Sequence, residues 1–225
     1  MYRIPKSFLL LFALALLPAA EPSWKSKPIQ QWNEADAKQV LGNSPWVKHA
    51  MPGLIPQQTE AQRREGGQMG GGQGVGVGIF GSANSYPGRG KAVPLEKLTV
   101  RWESAFPVRA AELKAQELAA PDWDGDFYAI AVYDVPGLKS GDRNLASDLK
   151  RAALLKRDGK KDLKPERVDI LPQASGLTTV VYFFPRSDEI TRDDKQIKLT
   201  AQIARLYVEQ VFDTEEMVFQ GKLQL

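Results

Sequence analysis

A chain of 225 residues with a formal net charge of +3, one histidine and no cysteine is limited before any motif is sought. Without cysteine it has no disulfide framework, no thiolate metal site and no lipid attachment through an N-terminal cysteine. A lone histidine, His49, excludes a Cys-His dyad and any two-histidine metal site; lying in an expected loop before Pro52, it reads as polar surface and all but excludes a Ser-His-Asp triad.

Residues 1–20 read as a secretory signal peptide. Arg3 and Lys6 form a basic start, Phe8 to Leu17 an apolar run, and Pro18-Ala19-Ala20 a small-residue end. The run is half of the roughly twenty residues that a spanning helix needs. The expectation is cleavage near Ala20, a mature start at Glu21, and a periplasmic or extracellular location with no transmembrane segment left. An uncleaved anchor is the alternative. Losing Arg3 and Lys6 leaves a charge of about +1, which argues against nucleic acid as a partner.

Residues 21–60 form a short, Trp-bearing N-terminal segment. Asn33 is placed to cap a helix over Glu34 to Leu41, with Asp36 in the first turn and Gly42 as a left-handed stop. Val40, Leu41 and Trp32 are its expected buried side. Ser44 to Val47 reads as extended. Trp24, Trp32 and Trp46 would suit partner docking if exposed, and Trp32 and Trp46 are the candidate partner-binding residues.

Residues 61–92 read as a flexible Gly-rich linker or loop. Gly76, Gly78 and Gly81 match G-x-G-x-x-G, but neither a strand before nor a helix after supports dinucleotide binding. No cofactor is expected.

Residues 93–225 read as the main folded domain. Leu98 to Trp102 alternates as a strand, Val108 to Leu118 has helical spacing behind Pro107, and Phe127 to Tyr133 reads as a strand buried on both faces. A helix over Asn144 to Arg151 follows. Asp158-Gly159 suggests a hairpin joining Ala152–Arg157 to Arg167–Leu171. Thr178 to Phe184 is the strongest strand, Ile197 to Ile203 alternates, and Glu216 to Leu225 closes the chain as one more strand. The expected fold class is α+β: an antiparallel β-sheet or sandwich with two or three short helices.

Three chemical signals arise in this region. Asp122, Asp124 and Asp126 sit at alternate positions of a turn and are the metal candidates, with calcium the expected ion, although positions six and twelve do not fit an EF-hand. Ser147 and Lys150 match S-x-x-K, yet Lys139-Ser140-Gly141 precedes that motif where a penicillin-recognising enzyme needs its K-T-G element after it. Lys139 to Arg167 holds ten basic against five acidic residues, read as a solvated face.

Two stretches resemble a group of exported bacterial hypothetical proteins with no assigned activity. One is Trp32-x3-Asp36-Ala37-x2-Val40-Leu41-x2-Ser44-Pro45-Trp46. The other runs from Phe183-Phe184-Pro185-Arg186-Ser187 to the closing Met217-Val218-Phe219-Gln220-Gly221-Lys222-Leu223-Gln224-Leu225. The resemblance implies export and a shared fold, not a reaction. The expected function is a non-enzymatic envelope module that binds a protein, polymer or membrane-surface partner. The alternatives are a carboxylate-based envelope hydrolase and a small-ligand or calcium-binding domain.

Overall fold

Two nearly unbroken apolar runs organise the molecule, because a strand buried on both faces needs neighbours on every side. The computed structural model describes residues 21–55, 96–117, 121, 125–138 and 144–225. Its helices are α1 (Ser23–Ser26), α2 (Glu34–Gly42), α3 (Phe106–Ala115) and α4 (Leu145–Arg151), with 3-10 turns at Ile29–Gln31 and Arg192–Asp194. Its strands are β1 (Val47–Ala50), β2 (Gly53–Leu54), β3 (Leu98–Trp102), β4 (Phe127–Val135), β5 (Ala153–Arg157) and β6 (Arg167–Pro172), followed by β7 (Thr178–Pro185), β8 (Gln196–Ile203), β9 (Leu206–Asp213), β10 (Val218–Phe219) and β11 (Lys222–Leu223).

All the pairings are antiparallel, and the protein is α+β. The first sheet runs β1-β3-β4-β7-β6, the second β2-β9-β8-β5, and β10 pairs only with β11. The apolar runs are β4 and β7, side by side in the first sheet. Their Tyr128, Ile130, Val132, Val180, Tyr182 and Phe184 enter a core shared with Ile197, Leu199, Val208 and Phe212 of the second sheet. Trp102 of β3 meets Phe212 of β9 edge to face, with ring centroids 5.3 Å apart. The alternate residues Ala129, Ala131, Tyr133, Val181 and Phe183 form a smaller cluster on the opposite face. The second sheet alternates instead: β8 buries Ile197, Leu199, Ala201 and Ile203 between more exposed residues.

The N-terminal segment joins the same core. β1 pairs with β3 and β2 with β9, so consecutive strands enter different sheets. Asn33 and Asp36 form a reciprocal capping box that starts α2. The carboxylate of Asp36 is held down at about 2 by the hydroxyl of Ser23, the amide of Asn33 and the ammonium of Lys27. Gly42 lies inside the last turn of α2 and is not left-handed; the helix ends at Asn43 instead, whose N–H donates to Gln39 O. Pro45 and Trp46 form a turn closed by Val47 N donating to Ser44 O, so extended structure begins at Val47 and not at Ser44.

Two strand expectations are corrected. β5 and β6 are not hairpin partners: β5 pairs with β8, and β6 with β7. The Asp158-Gly159 turn does form, with Gly159 left-handed, but its return reaches only Leu163, which bridges Leu155. Residues 216–225 are not one strand, because Gln220 and Gly221 both take positive φ and fold them into the β10–β11 hairpin.

Candidate functional site

Trp24, Trp32 and Trp46 are buried together against Phe219, so Trp32 and Trp46 offer no surface for partner docking. Trp24 and Trp46 have ring centroids 5.7 Å apart, and Trp32 meets Phe219 edge-on at 5.5 Å. The indole N–H of Trp32 donates to Trp24 O, and that of Trp46 to Gln224 O at 2.8 Å. Aromatic pairs of this kind add about 1 kcal/mol each beyond area burial, so the cluster fixes the two ends of the chain to each other.

Above this cluster lies a groove of about 660 Å³. One wall is the free edge of β1, through Val47, Lys48 and His49; the other is Glu215, Glu216, Val218 and Phe219. Trp102 N donates to Trp46 O, and hydrogen-bonded pairs alternate along an antiparallel ladder. Lys48 and Ala50 therefore pair with β3, while the carbonyl of Val47 and both main-chain groups of His49 turn toward the free edge, the Val47 N–H being taken by Ser44 O. Two buried donors line the same groove without a hydrogen-bond partner among the described residues: Trp24 Nε1 and Ser44 Oγ. Leaving such a group unmatched costs about 1–3 kcal/mol. The ammonium of Lys25 sits 5.9 Å from the Trp24 ring, and Lys48 reaches Glu216 at 3.5 Å.

His49 lies on a strand, not in a loop. It is exposed, with Nε2 3.2 Å from Gly42 O and Nδ1 3.4 Å from Thr99 Oγ1. Ser147 and Lys150 are both exposed on α4. Of the metal candidates, Asp126 is exposed just before β4, while Asp122 and Asp124 lie outside the described residues, as do residues 1–20 and the Gly-rich segment with Gly76, Gly78 and Gly81. Among the described residues no group of three or more acidic or histidine side chains is placed to hold a metal ion. In the basic stretch, Lys150, Arg151, Lys156, Lys161 and Lys164 face solvent, whereas Arg157 is buried.

The most perturbed carboxyl is remote from the groove. Arg101 of β3 donates through Nε to Glu103 at 2.6 Å and through a terminal nitrogen to Glu112 of α3 at 3.0 Å. It also donates to Tyr133 and Glu117; Tyr133 donates to Glu103 at 2.7 Å, and Arg109 to Glu112 at 2.8 Å. Burial and the neighbouring Glu103 carboxylate push Glu112 up to about 9, against the pull of Arg101 and Arg109. Two guanidiniums then face two carboxylates and one neutral acid, a balanced set. Burial opposes the charge on Arg101, but Glu103, Tyr133 and Glu117 outweigh it and hold its affinity for the proton above the ordinary value. A carboxylate-based hydrolase needs its raised acid open to substrate, and Glu112 is 3% exposed beneath two guanidiniums.

No protein-family model matches the chain, and no curated protein and no solved structure matches it. Among the described residues no helix is long and apolar enough to cross a membrane.

Proposed function

We propose that this is an exported, non-enzymatic envelope module, related to the bacterial group whose N- and C-terminal motifs it resembles, and that it holds a polypeptide partner in the groove beside β1. One observation carries the reading: the free edge of β1, with open main-chain groups, lines a groove floored by the tryptophan cluster. An extended chain presents a carbonyl at every residue, so it suits the open main-chain groups of an edge strand. That favours a polypeptide over the polymer or membrane surface that the sequence leaves open. The signal-like residues 1–20 support export.

Site-specific photocrosslinking in the producing cell tests the proposal. A crosslinking residue at Lys25 or Lys48 is expected to trap a polypeptide in the envelope fraction, whereas one at Lys38, exposed on α2, traps none. Equal trapping from all three positions would remove the groove from the proposal. N-terminal sequencing of the envelope form is expected to begin at Glu21; a cytoplasmic chain retaining residues 1–20 would refute export.

A further inference from the structure

The four sheet edges are guarded unequally. β6 ends in Pro172 and has α4 packed against it, and β5 is capped by the bridge from Leu163 to Leu155. β2 is only two residues long. Among the described residues β1 has no such protection: no proline, no bulge and no element paired along its outer side. An open edge of this kind is a template for another strand.

The main-chain pattern of that edge is self-complementary. The carbonyl of Val47 and both groups of His49 point outward, while the Val47 N–H is taken by Ser44 O. Pro52 restricts Met51 to extended backbone, which makes the Met51 amide the next outward donor. A two-fold axis through His49 therefore pairs the edge with itself. His49 of each copy donates to and accepts from His49 of the other, and each Met51 N–H donates to Val47 O, so four main-chain hydrogen bonds form. The neighbouring registers that keep outward groups opposite one another are worse. One needs the Val47 N–H that Ser44 already holds, and it sets Lys48 directly against Lys48. The other needs Gly53, which is paired with Tyr207 of β9. In the His49 register Lys48 faces Ala50, and Met51, 61% exposed, faces Val47.

The far wall of the groove leaves room for this extension. Lys48 shares its face with Val100, on the core side, and reaches Glu216 from there. That wall thus stands over the edge and not in line with it. We propose that the polypeptide in the groove is a second copy of this chain, joined through β1 into a dimer whose two five-stranded sheets run on as one. The inference rests on the reading that the groove beside β1 holds a polypeptide, and it names that partner.

Because the protein has no cysteine, one introduced thiol reports the pairing. His49→Cys sets two thiols across the axis on α-carbons about 5.5 Å apart, inside the range that a disulfide spans. The expected result is nearly complete disulfide linkage of chain to chain on oxidation with copper phenanthroline, whereas Lys38→Cys on α2 links little. Sedimentation equilibrium of the unaltered protein is expected to give twice the mass of one chain. His49→Pro removes an outward N–H without touching a β1–β3 bond, so it should weaken association at least about tenfold while the chain still folds. If that variant does not fold, His49→Lys, which opposes two ammonium groups, takes its place. A single-chain mass at about 100 μM, with no more linkage from His49→Cys than from Lys38→Cys, overturns the dimer. In that event a different polypeptide trapped from Lys48 in the cell leaves the groove reading standing, and trapping of none ends both.

Discussion

The two buried ionic clusters meet the same problem in opposite ways. Around Arg101, four charged side chains, the neutral acid of Glu112 and Tyr133 close on one another. Around Arg157, Asp194 takes its donors from Thr191 and Lys160, and one atom on each side of the pair is left unmatched. The first arrangement is sealed between α3 and a sheet covered on both faces. The second lies at the end of a sheet with one wet face. Each cluster keeps unmatched atoms among the described residues, Glu103 Oε2 in the first and Arg157 Nε with Asp194 Oδ1 in the second, so the contrast lies in how many groups close around each arginine.

Removing each arginine sharpens that contrast most. Arg101→Met should cost about 3–5 kcal/mol in urea unfolding, because it strands buried carboxylates without a partner. Arg157→Met should cost less, about 2 kcal/mol, because Asp188 is half-exposed and can rehydrate while Lys160 still pairs with Asp194. Equal losses would erase the distinction.

The pH dependence should have opposite signs. Glu112 is raised from 4.5 to about 9 in the fold, so its contribution is full below pH 4.5 and falls away as pH rises toward 9. Glu112→Gln, which mimics the protonated acid, should remove roughly 3 kcal/mol of that alkaline loss. Parallel stability–pH curves for the two proteins would show that Glu112 does not hold the proton. Asp194 goes the other way: burial opposes its charge, but the amide of Thr191 and the ammonium of Lys160 prevail and keep it below its usual value. Its contribution is present above pH 3.8 and lost as pH falls through the lowered value, so Asp194→Asn should flatten the acid limb.

The smallest expected effect concerns backbone strain. Lys195→Gly should raise stability by about 1 kcal/mol, since glycine tolerates the positive φ at that position. A neutral or negative change would mean that the lysine side chain earns its place by contacts.

Much of the fold was legible because its signals are local. Asn33 with Asp36 announced α2, and the unbroken runs of β4 and β7 announced a sheet covered on both sides. What escaped depends on distant partners. Nothing in Ala153–Arg157 states that it pairs with β8 and not with β6; the length of the return after Gly159 decides that. β9 went unread because the turn before it, Ala204-Arg205, lacks the usual glycine or asparagine although Ala204 is left-handed. The candidate site was less legible still. Val47 and His49 carry no motif, and the edge they open exists only once strands far apart in sequence have packed. The tryptophans were a sound signal of importance, but their role is to build the floor of the groove.

The bond from Trp46 to Gln224 joins residues 178 apart. During synthesis the N-terminal aromatic cluster thus stays incomplete until Phe219 and Gln224 have been made, and β2 waits likewise for β9. Such long-range closure makes folding slow and late. A chain that cannot close early stays open while it is made, and it reaches its final form only after residues 219–224 are present.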